Sequence, residues 1–208
     1  MGIRYCIFCF TGYNRGILNH EGMNKGDFWL GVDERIREIV GRYANGDFSI
    51  WACGDGRPGE EKIVSFEKEF GVRLPGDFRE LSLSKFGGFH IEVKESIWPR
   101  PEAYAVGPHW TFLYGFYVYG FGKELDDWME IGAQTRELRK ETGCEIVPCL
   151  KVICEPDFYC FDSGGKLYQW DCELDGLNPV ERSFLEMFEE EMRQLRERKD
   201  KKKGSEKA

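Results

Sequence analysis

Few residues of this chain have the types and the spacing that a catalytic, metal-binding or redox site requires. Cys6 and Cys9 are separated as in half a zinc site or in a redox pair. A zinc site needs a second pair of cysteines or histidines, and the sequence has none at the required spacing. A redox pair lies at the start of a helix, whereas these cysteines stand among apolar residues with no helix signal behind them. We therefore interpret them as part of a small apolar segment and expect no metal and no cofactor.

Three carboxylates form the second arrangement that could do chemistry. Asp126, Asp127 and Glu130 could hold a divalent cation through oxygen ligands. Negative charge at the beginning of a helix also complements the helix dipole, and we favour this interpretation. Only three histidines are present, and the sequence contains no Gly-x-Ser-x-Gly, Walker or His-Glu-x-x-His motif. We expect a protein that is not an enzyme, with a metal-dependent enzyme using the three carboxylates as the less favoured alternative.

The charge and the apolar content of the chain limit the kinds of molecule that it could bind. The 208 residues include 29 Lys and Arg against 37 Asp and Glu, a formal charge of −8. An acidic chain is poorly suited to neutralising phosphates, so we expect no direct binding of nucleic acid. No apolar run is long enough for a transmembrane helix, and the first residues carry no secretory signal. We therefore expect a cytoplasmic protein that does not bind a membrane and whose eight cysteines are reduced.

Periodicity and turn residues predict the elements that must position any site. Helices are predicted for residues 28–44, 60–70, 75–86, 123–141 and 180–197, and extended segments for 48–51, 89–93, 110–121, 146–153, 158–161 and 166–172. His90 alternates outward on its strand. Residues 1–27 are predicted to be an N-terminal extension of little order, 28–197 a single domain, and 198–208 a charged flexible tail.

One segment is more specific than the rest. Residues 63–78, followed by Phe86-Gly87-Gly88, resemble the signature of the SUKH superfamily. That signature is a helix with an inward apolar residue and then Glu, a Gly turn, Leu-Pro, a second helix with an aromatic residue, and Gly-Gly. The matching residues are Glu67, Leu74, Pro75, Phe78, Gly87 and Gly88. The later strands and the last helix also fit, so the resemblance covers roughly residues 30–196.

The resemblance implies an α+β fold, with a twisted, mostly antiparallel sheet flanked by N-terminal helices and closed by a C-terminal helix. The superfamily contains cell-wall assembly regulators, Syd proteins and many bacterial immunity proteins. It therefore implies a non-catalytic protein-binding module, foremost an immunity protein that neutralises a cognate bacterial toxin such as a nuclease. A regulatory scaffold that binds a cellular protein is the alternative.

The motif residues themselves have structural roles on physical grounds. Pro75 should fix the angle at which the third helix begins. Leu74 and Phe78 should anchor the helices on the sheet, and Glu67 should accept backbone N–H groups from the Leu-Pro connection. Glycines at the helix ends, Gly71 and Gly87 among them, should take positive φ.

A proline-rich segment between residues 98 and 110 is the candidate partner surface. Its prolines predict an exposed loop, and its aromatic and basic residues are typical interface anchors. The candidate contacts in this segment are Trp98, Arg100, His109 and Trp110. Asp126 and Asp127 could supply an acidic rim. The plainer interpretation is that both tryptophans only cap the core of the sheet.

Overall fold

In the part of the chain that the structure describes, seven strands form one antiparallel sheet whose order follows the chain, and helices pack against it. The computed structural model describes residues 31–102, 106–122 and 125–205. Within them the helices are α1 (Val32–Tyr43), α2 (Glu60–Phe70), α3 (Gly76–Leu83), α4 (Ile131–Thr142) and α5 (Phe184–Ser205). The strands are β1 (Phe48–Trp51), β2 (His90–Val93), β3 (Gly115–Val118), β4 (Val147–Val152), β5 (Phe158–Phe161), β6 (Leu167–Asp171) and β7 (Gly176–Pro179). The predicted α+β class with an antiparallel sheet is confirmed.

Two predictions concern residues outside this description. The N-terminal extension over residues 1–27 and the Cys6–Cys9 pair both precede residue 31. The division of the chain into an extension and one domain therefore stays a prediction. Of the helices in the described segments, none combines the length and the apolar character needed to cross a membrane.

The connection between α2 and α3 is held by one carboxylate. Oε1 of Glu67 accepts a hydrogen bond from the N–H of Leu74 at 2.9 Å, and Oε2 accepts one from Nη1 of Arg79 at 2.6 Å. Pro75 caps the beginning of α3 with φ −57°, close to the value that its ring imposes. The predicted hydrogen bond from the Leu-Pro connection to Glu67 is confirmed, and it fixes α3 relative to α2.

Aromatic side chains from α3 and α5 build the centre of the core. The ring of Phe78 lies 5.1 Å from Phe161 on β5 and 5.0 Å from Phe184 on α5. Farther along α5, Phe188 lies 5.2 Å from Phe89, which directly precedes β2. Phe78 has no exposed surface. The predicted anchoring of the third helix on the sheet is therefore confirmed, and α5 covers the same face.

Of the two glycines predicted to take positive φ, one does so and one does not. Gly71 ends α2 with φ +64°, as expected. Gly87 was expected to take positive φ, and this is wrong, because the residue with φ +64° is Gly88. At Gly87 a Cβ would lie 2.8 Å from the carbonyl oxygen of Ser82. Close backbone approach, rather than a left-handed conformation, therefore requires glycine there.

The aromatic segment 110–121 only partly forms the predicted buried strand. Residues His109–Phe112 form a short 3₁₀ turn, and β3 begins at Gly115. Trp110 is 45% exposed in that turn. The run of aromatic residues gave a strong strand signal, but Pro108 begins the turn and the ladder with β2 starts only at Gly115.

Helix α4 begins later than predicted. Instead of starting at residue 123 it starts at Ile131, after a turn over 126–129. Glu130 is its N-cap, and the carboxylate accepts the N–H of Ala133 at 2.6 Å. Three acidic residues near one another had suggested a helix start, and only the last of them is at the cap.

Strand β7 was not predicted at all. It pairs with β6, with Leu177 opposite Trp170 and Asn178 opposite Gln169. Glycine, asparagine and proline are depleted in strands, so the sequence Gly-Leu-Asn-Pro carries no strand signal. Pairing with the neighbouring strand overrides this local preference.

The predicted tail from residue 198 is helical up to Ser205, so that prediction is corrected. The side chain of Lys199 is only 3% exposed, and its Nζ lies 3.0 Å from Oδ2 of Asp47. Lys203, one turn later, reaches the same oxygen at 2.7 Å. Hydrogen bonds to Lys203 and then to Lys199 lower the pKa of Asp47. This contact joins the end of α5 to the residue before β1, which a charge pattern alone cannot show.

We expect Lys199→Ala to lower the free energy of unfolding by about 1–2 kcal/mol, because a largely buried charged hydrogen bond is lost. Lys203→Ala is the matched control, since its more exposed side chain should contribute less than about 1 kcal/mol. Urea denaturation of both variants measures the difference. Equal effects of the two substitutions would show that Lys199 is an ordinary solvated residue.

Candidate protein-binding face

The first residue of the predicted partner segment is part of the core. Trp98 is 1% exposed, and its Nε1 donates to the carbonyl oxygen of Thr111 at 2.9 Å. Its indole therefore cannot reach a partner, and the prediction that it lies in an exposed loop is wrong. The physical reason is tertiary, since Trp98 fills space beneath the turn that carries Trp110.

The guanidinium of Arg100 is engaged in contacts within the chain. Its Nη2 lies 2.8 Å from Oε1 of Glu92, and its guanidinium donates to the carbonyl oxygens of Trp98 and Val93. The guanidinium carbon lies 4.0 Å from the centre of the Tyr114 ring. Arg100 therefore fastens the segment to β2, and its charge is balanced by Glu92.

His109 and Trp110 are at the surface but apart from the acidic pair. The imidazole Nε2 of His109 lies 3.8 Å from Oε2 of Glu155, in the connection between β4 and β5. Trp110 follows in the same 3₁₀ turn. The contact of His109 places this turn at the β4–β5 connection, whereas Asp126 and Asp127 lie in the turn before α4.

Asp126 and Asp127 are exposed in the turn before α4. The carbonyl oxygen of Asp126 accepts the N–H groups of Met129 and Glu130, which closes the turn. Glu130 uses its carboxylate to cap α4. Within the described segments, no three His, Cys, Asp or Glu residues are grouped so that they could hold a metal ion. What the turn does present, directly after the two aspartates, is Trp128.

Trp128 packs on a row of side chains that crosses the sheet. Trp51 on β1 pairs with His90 on β2, and His90 pairs with Tyr117 on β3. Because side chains alternate along a strand, these residues lie on the face opposite Phe89 and Phe116, which contact α5. We call Trp51, His90, Tyr117 and Trp128 the aromatic face.

The four rings are in contact with one another. Trp51 and His90 are stacked, with centroids 4.6 Å apart and an interplanar angle of 17°. Trp128 stands edge-on to both His90, at 5.8 Å, and Tyr117, at 4.8 Å. Each of the four side chains is half-buried. The sequence correctly predicts that His90 points away from the core, but it does not predict the rings around it, since they come from three strands and a turn.

Electrostatics make the centre of the aromatic face neutral. Burial among the rings, and then the positive charge of Arg100, lowers the pKa of His90 from 6.5 to about 4. Burial also raises the pKa of Glu92, although Arg100 opposes this effect. At neutral pH His90 is therefore uncharged, and the charges of Glu92 and Arg100 pair with each other at 2.8 Å. Aromatic anchors with charged residues around them are the usual anatomy of a protein interface.

A family model provides an independent comparison. The model of the SMI1 / KNR4 family (SUKH-1) matches residues 58–190. The match begins just before α2, includes the Glu67 to Gly88 motif and ends within α5. It also contains three of the four rings of the aromatic face, all except Trp51. No curated protein matches the chain at a significant level. Because the family model covers more than half of the sequence, the chain belongs to the SMI1 / KNR4 family (SUKH-1).

Proposed function

We propose that this protein is an immunity protein that binds a cognate bacterial toxin and blocks its activity without catalysis. Membership of the SMI1 / KNR4 family supports a protein-binding module, with an immunity or a regulatory role. The observation that carries the proposal is the aromatic face, where Trp51, Tyr117 and Trp128 keep part of their surface in solvent. Covering such rings with a partner removes apolar area from water, which favours association.

The charge of the chain supports the same partner class. Toxins that attack nucleic acids carry basic clefts, and the net charge of −8 is complementary to such a surface. Complementary charge accelerates encounter and disfavours the wrong partners. The protein would occupy the cleft and exclude the substrate, and it would do so in the cytoplasm of the cell that produces the toxin.

The proposal expects a gene for the cognate toxin beside this one, and the test uses the toxin domain that such a gene encodes. The two proteins are expressed together in a bacterial host, survival is scored, and the affinity is measured by calorimetry. We expect the wild-type chain to protect the cells, and Tyr117→Ala to weaken toxin binding at least about tenfold, because a ring at the centre of the interface is lost. Leu174→Ala is the matched control, since Leu174 is 78% exposed on the β6–β7 connection, away from the aromatic face.

Each outcome decides one part of the proposal. A wild-type chain that neither binds nor protects overturns the immunity function and favours the regulatory role. Protection that is insensitive to Tyr117→Ala but lost in Trp110→Ala moves the interface to the 3₁₀ turn with His109 and Trp110.

A further inference from the structure

The rings of the aromatic face have a chemical preference of their own. The faces of aromatic rings carry negative partial charge and attract cations, and indole does so most strongly. The same chain already places cations on rings elsewhere. The guanidinium of Arg100 lies 4.0 Å from the Tyr114 ring centre, and that of Arg139 lies 5.2 Å from the Phe70 ring centre.

Negative charge is carried by the same turn that presents Trp128. Asp126 and Asp127 are exposed and immediately precede Trp128 in this turn. The cations beside the aromatic face are engaged within the chain: Arg100 pairs with Glu92 at 2.8 Å, and Lys151, which lies opposite Tyr117 on β4, donates to the carbonyl oxygen of Pro156 at 3.2 Å. His90 adds no positive charge at neutral pH, since its pKa is about 4.

These observations together define the partner group. Resting on the proposed function, we propose that the aromatic face receives an arginine-rich segment of the partner, with a guanidinium against Trp128 and its N–H groups paired with Asp126 and Asp127. Arginine fits better than lysine because the planar guanidinium can lie on a ring and still donate sideways to carboxylates. A negatively charged or purely apolar segment would leave the two aspartates unpaired.

The test uses an oligoarginine peptide as the probe and isothermal titration calorimetry as the measurement. We expect binding that weakens with rising salt, as attraction between exposed charges does. The double variant Asp126→Asn/Asp127→Asn and the variant Trp128→Leu should each weaken binding about tenfold or more, whereas Trp128→Phe should retain most of it.

A matched control separates this site from the general acidity of the chain. Glu173→Gln/Asp175→Asn removes the same two charges from the exposed β6–β7 connection and should change the affinity by less than about twofold. The inference is overturned if this control weakens binding as much as the Asp126/Asp127 variant does. It is also overturned if an oligoglutamate peptide binds as well as oligoarginine. If Trp128→Leu fails to fold, the affinity of the Asp126→Asn/Asp127→Asn variant for oligoarginine still tests the inference.

The inference and the proposed function can fail separately. Oligoarginine that binds as expected, to a chain that does not bind the neighbouring toxin, keeps the inference and overturns the immunity function. Toxin binding that is lost in Tyr117→Ala but unchanged in Asp126→Asn/Asp127→Asn keeps the function and overturns the inference.

Discussion

Replacing Phe78 with alanine is expected to lower the free energy of unfolding by about 3–5 kcal/mol, because a fully buried ring leaves a cavity that its neighbours fill only in part. Phe78 is 0% exposed and contacts rings of β5 and α5, namely Phe161 and Phe184. The substitution therefore removes the contact by which α3 is fixed to both the sheet and α5.

Chemical denaturation of the purified protein measures this loss, provided that the slope of the unfolding free energy against denaturant concentration is the same in the variant and the wild-type chain. Val64→Ala on α2 is the matched control. Its side chain is 50% exposed, so the change should stay within about 0.5 kcal/mol. A loss below about 1 kcal/mol for Phe78→Ala would show that the Leu-Pro motif does not anchor the fold in the way described.

His90 is expected to make the protein lose stability in acid, by about 3 kcal/mol between neutral pH and about pH 4. Burial among the rings, followed by Arg100, lowers the pKa of His90 from 6.5 to about 4 in the folded state. The unfolded chain therefore binds the proton more readily than the folded chain. Stability is complete above the unfolded pKa and falls as the pH drops from about 6.5 towards 4.

The measurement compares the wild-type chain with His90→Phe across this pH range. Phenylalanine keeps a ring against Trp51 but does not titrate. Carboxylates whose pKa is raised by burial, Glu92 and Glu191 among them, are present in both proteins, so their contributions cancel in the difference. Parallel stability curves for the two proteins would show that His90 is solvated and titrates normally.

The sequence by itself determined those features that depend on neighbouring residues. The bounds of α2, Glu60–Phe70, follow from an apolar stripe at helical spacing and from Gly71 at its end. The β5–β6 hairpin follows from period-two alternation around the glycine turn at residues 164 and 165. The hydrogen bond of Glu67 to the Leu-Pro connection spans only seven residues. Such local geometry is encoded in propensity and spacing.

Only the tertiary structure decided which side chains meet across the chain. It buried Trp98 and exposed Trp110, although both stand in the same proline-rich segment. It joined Lys199 to Asp47, and it brought Trp51 against His90. Strand register fixes the contact of Trp51 with His90, and the packing of α5 against the sheet fixes the contact of Lys199 with Asp47. Both depend on the whole fold rather than on any short window of sequence. The aromatic face could not be found in the sequence for this reason, since its four rings become neighbours only when three strands and one turn are paired.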